Sequence, residues 1–559
     1  MDFVLTLHSH LPWVLHHGRW PHGSDWLCEA AVDTYLPLLV ALDTLDHQRI
    51  PAPITLGVTP ILANQLAHPD FRHELEAFFT QRLEACDEAI AEFTGAGDTG
   101  LVPIAAFWRA RLARLRRVAR RHNYDLTGLL GRLARQGRIE LLSSAATHGF
   151  LPLLARDESI RLQLLMGRAE HRRLFGLEAR GCWAPECAYR PAGPWSPDTQ
   201  APAQPWRTGI ETHLRDAGFD HFYVDAHLAS AGQMLGLYGE QFVDGIREPS
   251  EVPLDAVYPR SPYRAYDLIP DRGAPVAALV RDPESSQRVW SRYHGYPGDG
   301  GYLEFHKIHW PGGLKFWRVT GTGVDLGAKQ PYDPNVARAR AHGHAGDYAA
   351  LLVKMTGATQ PLGGELMVAP FDTELFGHWW YEGMDWITDL YRALARQTTA
   401  APVTATAHLG QRTGSHPVIS LVEGSWGANG DFSMWLNPGT AWTWHRLWAL
   451  EERFWSVAPR VLASAGDAGL EILAQATREL LLAQSSDWQF IISTGAAADY
   501  AERRFVGHCE GAEGLLAGLE AGSEEAITSA GELARHLWQV DDPFPDPLPI
   551  LRAALEAPK

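Results

Sequence analysis

The chain has 559 residues, 46% hydrophobic and 21% charged, with a formal net charge of -17. That length exceeds a single core and implies two or three structural units. The acidic balance excludes nucleic acid or an anionic membrane as the main partner, because both demand a basic face. No stretch of about 18 apolar residues marks a membrane span, and MDFVLTLHSHLPW lacks the basic start of a signal peptide. The five cysteines (Cys28, Cys86, Cys182, Cys187, Cys509) form neither a CxxC pair nor a disulfide framework. A reducing, cytoplasmic location is the expectation.

Seven short apolar runs bounded by turn or polar residues predict strands. In chain order they are FVLTL (3–7), ITLGV (54–58), RIELLS (138–143), GCWAPE (181–186), HFYVDA (221–226), VAALVRD (276–282) and ELMVAPFD (365–372). Most are continuous rather than alternating, which suits a parallel sheet buried on both faces. Helical patterns lie between them, for example at 29–45 and 157–176, so the alternation implies a barrel-like α/β domain. Residues 68–135 break it with an Arg-rich helical insertion, whose leucines at helical spacing make the arginines a solvated face. Residues 192–209 and 227–251 read as loops, the second bearing glycines and Tyr238. Helical patterns at 438–456, 467–484 and 511–539 predict a C-terminal helical domain. The expected division is a catalytic barrel over 1–420 and a helical domain over 421–559 that contributes to the site.

His8, His10, Thr147, His148, Glu186, Asp225, Arg281 and Asp372 all fall at or just beyond the ends of predicted strands, the face where parallel barrels collect catalytic groups. Glu186 lies between Pro185 and Pro191, and Asp372 precedes paired tryptophans. Two carboxyls about 5–5.5 Å apart are what a retaining glycosidase requires. Several of the 21 tryptophans sit beside Gly and Asp, as in GSWGANGD and GHWWYEG, where an indole face can stack on a sugar ring; the others belong to core packing. His8 and His10, with His148 and Asp225, would also suit zinc. The residues alone leave that alternative open.

The segments LHSHLPW, GRIELLSSAATHGFLPLL, CWAPECAYRP, APFDTELFGHWWYEG and SSDWQF resemble glycoside hydrolase family 57, and its α-glucan branching group in particular. The resemblance implies an α/β fold: an incomplete seven-stranded parallel (β/α)7 barrel with a helical insertion and a C-terminal helical domain. It implies a 1,4-α-glucan branching reaction in which Glu186 is the nucleophile and Asp372 the general acid/base. Arg281, Gly298, Trp426 and Asp487 would contact glucan, with Trp435 as a further stacking face. His10 and His148 would serve sugar hydroxyls, and Tyr238 would act as a lid. No metal or other cofactor is expected. The expected partner is an α-glucan such as amylose or glycogen, used by a monomer or small homo-oligomer. The segment LEFHKIHWPGGLKFW after Tyr302 departs from the tyrosine- and arginine-rich form expected of that group, which bears on donor or acceptor subsites. The rival readings are an α-amylase or 4-α-glucanotransferase of the same family, a non-catalytic glucan-binding protein, and a metal-dependent deacetylase or mannosidase.

Overall fold

All seven expected strands form: β1 (Asp2–Ser9), β2 (Ile54–Val58), β3 (Ile139–Ser144), β4 (Gly181–Trp183), β5 (His221–Val224), β6 (Val276–Val280) and β7 (Leu366–Asp372). The computed structural model describes residues 1–197, 204–237, 242–243, 246–247, 260–290, 295–411 and 416–556. The strands lie in the order β7-β1-β2-β3-β4-β5-β6, each neighbouring pair parallel. β6 and β7 meet only just past the end of β6. There Arg281 pairs with Val368, and the Asp282 N–H donates to the Val368 carbonyl at 2.8 Å. That same edge of β6, away from β5, takes the antiparallel strand Ala265–Leu268, which leads on to Pro417–Ser420 and Gln233–Leu237. The barrel is therefore incomplete, pinched at one point instead of laddered shut.

Successive strand side chains point to opposite faces. Val4, Leu142, Trp183, Tyr223, Leu279 and Val368 meet in one cluster that fills the barrel. Their neighbours Phe3, Leu5, Phe222, Ala278 and Met367 join the larger core under the helices. The helix Asp157–Phe175 lies tight on β3 at Gly167, where a Cβ would come within 2.0 Å of the Ser144 carbonyl.

The insertion is three helices, Pro69–Ala96, Val102–Arg121 and Leu126–Arg135. The segment 227–251, expected to be a loop, includes most of the helix Ala226–Ser230 and the strand Gln233–Leu237. QMLGL is too short and glycine-bearing to stand out as a strand; its order comes from pairing with Pro417–Ser420. Within 192–209, Gly193–Pro194 pairs with Trp206–Arg207. After residue 420 come the helices Ala441–Ser464, Asp467–Ala483, Asp487–Thr494, Ala498–Ala521, Glu524–Trp538 and Leu548–Leu555. The pattern read as continuous over 511–539 is two helices, broken at Gly522, whose φ of 63° favours a residue without Cβ.

Tryptophan N–H groups fasten this region to the barrel. Trp448 donates to the Leu153 carbonyl, Trp455 to the Ser159 hydroxyl and Trp13 to the Val540 carbonyl, each at 2.8 Å. All five cysteines are free and buried. Among the described residues no helix is long and apolar enough to cross a membrane.

Candidate active site

The register of β1 on β7 sets His8 beside Asp372, so both reach the same end of the barrel. β4 stops at Trp183 and the chain turns sharply through Pro185–Cys187. Glu186 adopts φ 60°, ψ 22°, and Cys187 also has positive φ. Such backbone costs a non-glycine residue about 1 kcal/mol or more and persists only where the surroundings enforce it. Here Trp426 N–H donates to the Glu186 carbonyl at 3.0 Å, and Tyr189 and Gly424 exchange backbone hydrogen bonds. His148, with φ 60°, is held the same way: Ser486 N–H donates to its carbonyl at 3.2 Å. Both strained residues are thus clamped by segments that follow residue 420.

The Glu186 carboxylate receives the Trp426 indole N–H on Oε2 at 2.7 Å and the Ser486 hydroxyl on Oε1 at 3.4 Å. His148 Nδ1 lies 2.9 Å from that hydroxyl and 3.7 Å from Glu186 Oε1. Burial lifts Glu186 to about 8, aided by the charges of Asp372 and Asp487 and opposed by the Trp426 and Ser486 hydrogen bonds. Burial also lifts Asp372 to about 7 against the pull of His10 and Arg281. Desolvation thus raises both the expected nucleophile and the expected acid.

Three histidines line the site with their rings stacked, His10 on His148 at 4.1 Å and His8 on His148 at 5.0 Å. Five of their six ring nitrogens engage one another or nearby side chains, while His8 Nδ1 is buried with no hydrogen-bond partner among the described residues. His8 Nε2 meets His148 Nε2 at 3.0 Å, His10 Nδ1 meets the Thr59 hydroxyl at 3.0 Å, and His10 Nε2 meets Asp487 Oδ2 at 2.8 Å. Burial holds His8 and His148 well below the usual histidine range, so both are neutral. Burial pushes Asp487 upward, but His10 and the Ser485 hydroxyl outweigh it and keep the carboxylate ionised. The groups that could hold a metal among the described residues lie elsewhere, at His16/His68/Asp70 and Glu479/His508/Asp541.

Trp183 floors the site, stacked on His8 at 4.6 Å and edge-on to Trp426 at 5.0 Å. Arg281 pairs with Asp225 at 3.0 Å and lies over the Trp426 ring, 5.8 Å from its centroid. Glu186, Asp372, His10, His148, Arg281, Trp426 and Asp487 therefore come together. The remaining expected contacts within the described residues are Gly298 and Trp435. Gly298 ends the turn Tyr296–Gly298, whose Tyr296 ring stacks on His344. Among the described residues no hydrogen bond ties this turn to Glu186 or Asp372. Trp435, expected to offer an open stacking face, is only 1% exposed and packs on Phe150. Tyr238 lies outside the described residues.

Sequence reasoning missed Ser486, which adjoins Asp487 in the SSDW motif, and Glu374, whose half-buried carboxyl accepts from the Tyr35 hydroxyl. It also missed a groove of 530 Å³ lined by Trp20, Phe305, Trp310, Trp379 and Phe490. Trp20 is 66% exposed, and Trp310 and Trp379 are each 55% exposed, unusual for so apolar a side chain. Two of these rings, Phe305 and Trp310, belong to the atypical segment after Tyr302.

Residues 4–414 match the family described as glycosyl hydrolase family 57, and residues 446–546 match the C-terminal region of 1,4-alpha-glucan branching enzymes. A 1,4-alpha-glucan branching enzyme of Thermococcus kodakarensis is 37% identical over 515 residues, 90% of this chain and 72% of that protein. The crystal structure of the branching enzyme from Pyrococcus horikoshii is 35% identical, with a TM-score of 0.87 over 100% of this chain and 97% of that one. An alpha-amylase from Thermotoga maritima superposes with a TM-score of 0.81 at 26% identity, over 100% of this chain and 99% of that one. Matched along nearly three quarters of its length, the chain belongs to glycosyl hydrolase family 57.

Proposed function

We propose that the chain is a 1,4-α-glucan branching enzyme that works by retaining double displacement. The observation that carries the chemistry is the half-buried pair Glu186 and Asp372, with hydrogen-bond donors on Glu186. The C-terminal match and the 37% identical relative support branching over the amylase alternative.

With both carboxyls raised by burial, the pair holds about one proton near neutral pH. Nucleophilic attack needs that proton on Asp372. The Trp426 indole and the Ser486 hydroxyl, donating to Glu186, favour its ionised form and so bring it closer to Asp372 in acidity, which eases the proton's passage to Asp372. Asp372 then protonates the leaving glycosidic oxygen as Glu186 bonds to the sugar's anomeric carbon. Once the leaving chain departs, Asp372 takes the proton from an incoming glucose 6-hydroxyl, which displaces Glu186.

Arg281, Asp487, His10 and His148 would meet sugar hydroxyls and Trp426 a ring face. Gly298, Trp435 and Tyr238 would act at a remove: a turn, a packed support beneath the surface, and a lid that keeps water from the intermediate. The division at 420/421, a role in glycogen biosynthesis, a cytoplasmic location and a monomer or small homo-oligomer belong to the same proposal. Incubation with amylose, followed by isoamylase debranching and chain-length analysis, tests it. New α-1,6 links support branching, and reducing ends without them point to an amylase.

A further inference from the structure

A second cleft, of 1030 Å³, opens between the insertion helix Val102–Arg121, the helix Leu36–His47 and the first turns of the helices Pro334–Thr359 and Gly383–Leu394. Only a thin aromatic partition separates it from the tryptophan groove. Phe107 lines the cleft and its neighbour Trp108 the groove, whereas Arg111 and Tyr381 line both. The Tyr381 ring lies 4.9 Å from Trp108 and 6.4 Å from Phe107, and the Arg111 guanidinium sits 4.7 Å above it. We infer that this cleft is a second α-glucan-binding site, gripping the far part of a chain whose nearer part occupies the tryptophan groove; the inference rests on the α-glucan reading above.

The wall chemistry favours a neutral polyhydroxyl chain over an ion. Arg111, Arg114 and Arg338 supply donors, and Glu382 and Asp385 supply acceptors that would repel an anion. Glu382 is only 1% exposed. Its Oε1 receives the Tyr332 hydroxyl at 2.7 Å and the Leu303 N–H at 3.1 Å, while Oε2 has no hydrogen-bond partner among the described residues. An unused buried acceptor is costly unless something completes it. Phe107 and Tyr381 are half-buried, which leaves ring edge and face for sugar C–H groups. The volume slightly exceeds the ~300–1,000 Å³ of small-molecule pockets, as an oligomer needs. The Arg-rich helix noticed in the sequence thereby divides its work. Arg109 pairs with Asp87 and Arg116 and Arg120 with Glu76, while Arg111 and Arg114 turn to the cleft.

The test is affinity electrophoresis through amylose-containing gels, with Glu186→Gln as the parent to prevent turnover. Two linked sites hold a polymer far more tightly than one, so adding Phe107→Ala and Arg338→Ala should weaken retention about tenfold or more. Phe107→Tyr, which keeps a stacking ring, should retain the parent's mobility. Arg338 is exposed, so Arg338→Ala alone guards against misfolding and should still weaken retention measurably. Equal retention in parent and all variants would overturn this site while leaving the α-glucan reading intact. A parent that is not retained would overturn both. Inorganic phosphate that releases the parent from amylose at constant ionic strength, but not the double variant, would make the cleft an anion site and overturn the inference.

Discussion

Trp426 holds Glu186 twice: its indole N–H donates to the carboxylate at 2.7 Å and its backbone N–H to the carbonyl at 3.0 Å. Trp426→Phe keeps the second bond and loses the first. A hydrogen bond to a charged group is worth about 1.5–3 kcal/mol, so kcat should fall roughly 10- to 100-fold. Without the donor Glu186 rises further, and the alkaline limb of the pH profile, which it sets near 8, should move to higher pH. Initial rates of both proteins across pH give both quantities.

Removing either carboxylate itself should cost far more. Glu186→Gln and Asp372→Asn are each expected to lower turnover at least about a thousandfold, because nucleophile and proton donor act as a unit. Near-isosteric changes should leave the circular dichroism and melting temperature close to those of the parent. A variant that retains a tenth of normal turnover would remove that residue from its role.

The pH profile of kcat/KM should be a bell with limbs near 7 and 8, the values toward which burial lifts Asp372 and Glu186. As pH falls below about 7 both carboxyls are protonated and no nucleophile remains; above about 8 both are ionised and no acid remains. Rates that stay flat from pH 5 to pH 7 would contradict the burial argument.

Dialysis against a strong chelator should leave activity unchanged, since His8 Nε2 and both nitrogens of His10 and of His148 are engaged with one another and with Thr59, Ser486 and Asp487. Loss of activity restored by zinc would revive the metal-dependent reading.

Tyr238→Ala should lower branching more than total bond cleavage, releasing more reducing ends per new branch, if Tyr238 shields the intermediate from water. Reducing-end and branch-point assays on the same samples decide this. An unchanged ratio would make the segment a connector only.

The parts legible in the sequence carry a local signal. Most barrel strands are continuous apolar runs, and β1, β2 and β3 occupy almost the predicted residues. Glu186 and Asp372 announced themselves by standing where such runs end. Ser486 could not, because its importance comes from His148 and Glu186, both about 300 residues earlier and brought near only by tertiary packing. Trp435 and Trp426 look alike in a Gly-rich stretch, yet one is buried and the other borders Glu186. The tryptophan groove escaped notice because its rings come from segments near residues 20, 310, 379 and 490. The helix break at Gly522 was visible as a glycine but was outweighed by the helical pattern around it.

Trp426, Ser486 and Asp487 all follow the last barrel strand, whereas Glu186 and Asp372 precede them. On the ribosome both carboxyls emerge well before the groups that clamp and polarise them. A nascent or truncated chain ending near residue 420 lacks the indole on Glu186 and the carboxylate on His10. In the proposed reaction such a fragment is silent, so synthesis must pass Asp487 before the protein can transfer a glucan.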